Sequence, residues 1–226
     1  METHEKSTIA LVDATRKKEY SSGIRLWHWL NALIISGSLL TVLINSTFLK
    51  PWTNAGFIAG KLNEKGVKIS AEQAKSVAFA LADKVWDVHI WLGYALTALL
   101  LIRIFLEYFE LADKKLLRKI KAARKIFKQR QDHYTSARTE MLVKTAYLLF
   151  YVMLFVMVIT GLALAFSDQV AILKKMHFLR DIHGFTMYLI LAFIAVHIVG
   201  VIIGERRQHK GIVSDMINGG KFKNES

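Results

Sequence analysis

Residues 181–205 read DIHGFTMYLILAFIAVHIVGVIIGE. Between the two terminal acids lie 23 residues with no formally charged side chain, His183 and His197 aside. Such a run crosses a bilayer as one helix, with the acids marking where the membrane ends. The two histidines are 14 residues apart. At 3.6 residues per turn that is about 40° short of four turns, so both imidazoles leave nearly the same helix face. Their axial separation is ~21 Å at 1.5 Å per residue, which sets one imidazole near each membrane surface. An ionisable group inside a span is costly without a partner and marks a functional site by default. Two on one face predict two sites stacked along the membrane normal.

The rest of the chain repeats the pattern of this stretch. Of 226 residues, 53% are hydrophobic and only one is proline, which points to an integral membrane protein of the all-α class. Residues 26–49 are uncharged apart from His28 and are flanked by Arg25, Trp27 and Trp29 at one end and Lys50 at the other. Arginine and tryptophan there are interfacial anchors. A second span is expected over 86–109, with His89 near its start and Arg103 close enough to its far end to snorkel. A third covers 145–167, and the opening stretch supplies the fourth at 182–204. The expected architecture is a four-helix membrane bundle with additional interfacial amphipathic helices. It divides into a polar tail at 1–20, a four-span domain at 21–209 and a cytoplasmic tail at 210–226.

Two connections carry helical signals of their own. Ser70, Ala71, Glu72 and Gln73 form a capping box, and Ala74, Val77, Ala78, Leu81 and Val85 continue on one face. This predicts a short helix lying along the membrane surface before the second span. Residues 110–140 hold ten Lys or Arg against four Asp or Glu, with Leu116, Leu117, Ile120, Ala123 and Phe127 as an apolar stripe. A basic interfacial helix is expected there. Positive-inside counting puts this connection and both termini in the cytoplasm, with 50–86 and 168–181 on the opposite side. The net charge of +13 is accounted for by these flanks meeting anionic lipid rather than nucleic acid.

Topology then sorts the eight histidines. His4, His133, His177 and His209 fall in loops and tails and read as surface residues. The four within spans pair by depth: His28 with His197 at the inner surface, His89 with His183 at the outer. A six-coordinate haem iron takes two axial ligands from opposite faces of the macrocycle, and two facing helices can supply them. Gly93 and Gly200 follow His89 and His197 by about one turn and would clear room for a flat ring. The absence of cysteine excludes c-type attachment, iron–sulfur clusters and thiolate zinc, so the expected cofactors are two haems held without covalent attachment. A haem-free metal transporter is the competing reading. It would call for carboxylates inside the spans, and Asp87, Glu107, Asp181 and Glu205 all stand at span ends.

The segment Arg25-Leu26-Trp27-His28-Trp29, His89 with Gly93-Tyr94, the His183–His197 spacing and the tail GIVSDMINGG at 211–220 resemble the bacterial cytochrome b561 and nickel–iron hydrogenase b-type cytochrome family. That family includes the membrane subunit of formate dehydrogenase. The resemblance covers residues 20–220, with the long 50–86 connection as its main departure. It implies a bacterial inner-membrane electron-transfer subunit with two b haems in a four-helix bundle, working within a complex or as a homo-oligomer. Electrons would pass between a periplasmic redox protein (a hydrogenase, a dehydrogenase or a cytochrome c) and membrane quinone. The resemblance also leaves open an enzyme in its own right, oxidising superoxide at the outer haem and reducing quinone, with Lys174, Lys175 and Arg180 steering the anion. Asn31, three residues after His28, is the candidate quinone ligand at the inner surface. Quinone reduction there could draw its protons from cytoplasmic water.

Overall fold

The computed structural model describes residues 21–109, 134–207 and 212–219. The expected N-terminal tail, the basic stripe from Leu116 to Phe127, His4, His133 and His209 lie outside them. Every regular element among the described residues is helical: α1 (Ser22–Thr47), α2 (Pro51–Glu64), α3 (Ala71–Phe109), α4 (Tyr134–Ala165), α5 (Ala171–Lys174), α6 (Phe178–Arg207) and α7 (Ile212–Asn218). Four of them are long and apolar enough to cross a membrane, over Ser22–Thr47, Ala71–Phe105, Lys144–Ala165 and Phe178–Arg206. The fold is that of an all-α, multi-pass membrane protein.

Local chemistry explains where the helices start and stop. Pro51 stands in the first turn of α2, where its missing N–H costs nothing and its fixed φ suits the helix. The chain leaves α2 through Gly66 at φ 79°, with the Val67 amide bonding back to the Leu62 carbonyl at 3.0 Å. The capping box forms as expected: the Ser70 amide donates to Gln73 Oε1 at 2.8 Å, and the Gln73 amide to Ser70 Oγ at 3.1 Å.

The 50–86 connection differs from expectation in two ways. It contains an additional helix, α2, and the helix begun at the capping box does not end before the second span. It runs from Ala71 to Phe109 as one element of 39 residues, ~58 Å long at 1.5 Å per residue. No glycine or proline occurs between positions 71 and 92, so the backbone has no reason to break where the side chains change from surface to membrane character.

The described residues fall into two compact units, one of residues 31–193 and one made of the flanks up to 30 and from 194 onward. In the first, Ala74, Ala78 and Ala82 line one face of α3 and are almost fully buried, as small residues permit close helix approach. Lys75 Nζ lies 3.9 Å from the centre of the Trp52 ring and so ties α2 to α3. Asn45 Nδ2 donates to the Ala82 carbonyl across α1 and α3 at 3.3 Å. Phe150 stacks on Phe193 at 5.0 Å between α4 and α6. Arg103, expected to snorkel, donates through Nε to the Tyr151 hydroxyl at 3.3 Å.

In the second unit α7 is held against the start of α1. Arg25 Nη1 donates to the Ile217 carbonyl at 3.3 Å, and Trp29 Nε1 to the Met216 carbonyl at 3.1 Å. The Val213 amide donates to Glu205 Oε2 at 3.3 Å. Gly219, at φ 73°, closes α7 by bonding its amide to the Asp215 carbonyl. The tail motif singled out in the sequence is thus a docked helix.

Candidate metal centres

Each unit brings together one of the histidine pairs expected from depth. His28 of α1 and His197 of α6 have ring centres 6.2 Å apart, with planes inclined at 56°. His89 of α3 and His183 of α6 stand 6.3 Å apart at 79°. A tryptophan packs edge-to-face on one member of each pair: Trp29 on His28 and Trp86 on His89, both at 5.4 Å. The indoles restrict the rotation of those imidazoles.

The separations are informative. An imidazole bound through one nitrogen at about 2.0 Å has its ring centre about 1.1 Å beyond that nitrogen, so two imidazoles trans on one metal stand about 6.2 Å apart centre to centre. Both pairs match that requirement. Among the described residues no group of three or more His, Asp or Glu is close enough to hold a bare metal ion. A metal given only two protein ligands must draw its other ligands elsewhere, and a tetrapyrrole supplies four in the plane between two imidazoles. Beside His89 and His197, a Cβ at Gly93 or Gly200 would meet no atom within 4 Å. These residues fit a haem.

The environment of the His89–His183 pair contains partners that the sequence did not disclose. Thr41 of α1 places Oγ1 2.9 Å from His89 Nδ1, and Thr160 of α4 places Oγ1 3.0 Å from His183 Nδ1. Both threonines are buried. The His183 ring also lies against Gly161, where a Cβ would stand 3.0 Å from Cε1. The sequence separations are 48 and 23 residues, so the only local signal was a hydroxyl within an apolar run. Asn31 is 4% exposed. His177 is exposed in the connection before α6, as expected of a surface histidine. Lys174 makes one long ion pair with Asp168, at 3.8 Å between exposed side chains.

The family model for prokaryotic cytochrome b561 matches residues 19–219. The chain belongs to the prokaryotic cytochrome b561 family. This b561 protein is therefore a b-type, haem-binding membrane cytochrome that transfers electrons, and the four long apolar helices among its described residues make it a multi-pass protein of a bacterial membrane. No curated protein matches the chain. No solved structure matches it either.

Proposed function

We propose that this b561 protein holds two b haems, one between His28 and His197 and one between His89 and His183, and relays single electrons between an external redox protein and membrane quinone. The observation that carries this reading is the recurrence, in two separate units, of a histidine pair at the spacing that trans ligation requires. Bound haem supplies a one-electron ferric–ferrous couple. The chain would supply a nitrogen lone pair to each face.

The basic 110–140 connection and the positive-inside rule orient the relay. The His89–His183 pair then faces the periplasm and takes electrons from a soluble or complexed partner. The His28–His197 pair faces the cytoplasm and passes them to quinone, where protons are available from water. Asn31 lies on the His28 helix, three residues further on. Its amide is suited to a quinone carbonyl that enters between the helices.

Haem extraction from the purified protein, with iron stoichiometry and a pyridine haemochrome spectrum, tests the proposal. Two b haems per chain are expected. One haem per chain, retained when either pair is removed, would sink it.

A further inference from the structure

The hydroxyls of Thr41 and Thr160 each have a backbone carbonyl of their own helix within reach as well as an imidazole. A threonine hydroxyl has one hydrogen to give and two lone pairs to accept with. Thr41 Oγ1 donates its hydrogen to the Ser38 carbonyl at 2.6 Å, within its own helix. Thr160 Oγ1 donates to the Val156 carbonyl at 2.7 Å. With those hydrogens committed, each oxygen can only accept from the imidazole nitrogen beside it. That assignment puts the hydrogens of His89 and His183 on Nδ1 and the lone pair of each ring on Nε2. That tautomer is the one that binds a metal through Nε2. The two threonines come from different helices, α1 and α4, and serve two ligands on α3 and α6. The arrangement is thus matched on both sides of the pair.

Building on the ligand assignment above, we infer that Thr41 and Thr160 are paired positioning residues that fix the tautomer and plane of both axial imidazoles at the His89–His183 site and thereby lower its reduction potential. An N–H held by an oxygen acceptor gives the opposite nitrogen more donor strength, which favours ferric over ferrous iron. The same two contacts, with Trp86 and Gly161, bear on the ring planes, which stand 79° apart. The acceptors are neutral hydroxyls, so their effect is smaller than that of a carboxylate partner.

The test uses the purified holoprotein carrying Thr41→Val, Thr160→Val, both together, or the corresponding Thr→Ser changes, with His89→Ala identifying the spectral component of this site. Potentiometric titration should show that component shifted upward in each valine variant by a threefold to tenfold change in its reduction equilibrium. Tenfold corresponds to about 59 mV for a one-electron couple. The double variant should shift further, and serine should restore the parent value. The ferric EPR signal of the same component should move toward that of less perpendicular ligand planes. An unchanged potential and EPR signal in the valine variants overturns the inference while leaving the ligand assignment standing. If valine expels the haem, serine variants that retain it at the parent potential support the role of the hydroxyl, and loss in serine as well overturns it. Survival of both spectral components in His89→Ala overturns the ligand assignment and the inference together.

Discussion

Gly161 touches His183 closely enough that a methyl group in its place would stand 3.0 Å from Cε1 of the imidazole. Within a helix, Gly→Ala ordinarily stabilises by about 1 kcal/mol. Here the methyl would push the ring by a few tenths of an ångström and lengthen its 3.0 Å contact with Thr160. The two effects have opposite consequences. Gly161→Ala should leave the helix content and thermal stability of the apoprotein equal or higher, yet weaken haem retention at that site by roughly tenfold, the lower end of the range for lesions around metal ligands. Haem-to-protein ratio and thermal unfolded fraction, measured on the same preparation, separate these effects. Gly56→Ala, where no atom lies within 4 Å, is the control.

Removal of single ligands should sort the histidines. His28→Ala and His197→Ala are expected to lose one low-temperature α-band component, and His89→Ala and His183→Ala the other. The 6.2 and 6.3 Å pairings are the reason. A spectrum in which His28 groups with His183 would contradict both.

Much of this was legible in the sequence because helical period and membrane depth are properties of a single segment. The phase of His183 and His197, the four spans and the Ser70–Gln73 cap needed no tertiary information. What stayed hidden depends on neighbours. Thr41 and Thr160 become meaningful only when α1 meets α3 and α4 meets α6. The helix that carries the second span starts earlier than the change of polarity near Trp86, because helix continuity depends on backbone breakers, and none occurs there.

The tail helix provides a test of its own. Gly219 sits at φ 73°, and a Cβ there would stand 2.8 Å from Arg25 Nη1. A left-handed conformation costs a non-glycine residue about 1–2 kcal/mol, which corresponds to a fivefold to thirtyfold change in an opening equilibrium. Gly219→Ala should therefore speed amide hydrogen exchange across Ile212–Asn218 by that factor. Exchange at the parent rate would show that the contact with Arg25 does not hold α7 in place.

The proposed orientation rests on charge. A reporter inserted within 110–140 should read as cytoplasmic, and one within 168–178 as periplasmic. The reverse result exchanges the two faces of the relay but leaves the ligand pairs unchanged.

For the quinone end, Asn31→Leu should preserve both haem components and slow electron transfer to added quinone by about tenfold, the effect of losing one well-placed hydrogen bond. Stopped-flow reoxidation of the prereduced protein measures it. An undiminished rate removes Asn31 from the quinone site.

The unbroken length of α3 bears on how an electron donor is received. From the capping box at Ser70 to His89 the chain has no joint, and α2 is fastened to the same segment through Trp52, Lys75 and Phe79. Loops absorb displacement, whereas a continuous helix with its backbone bonds intact is stiff along its axis. On the proposed ligand assignment, a protein that leaned on α2, or on the first turns of α3, would push on a lever arm that carries His89 about five turns further along. The surface offered to such a partner and the proposed metal ligand would be one mechanical part.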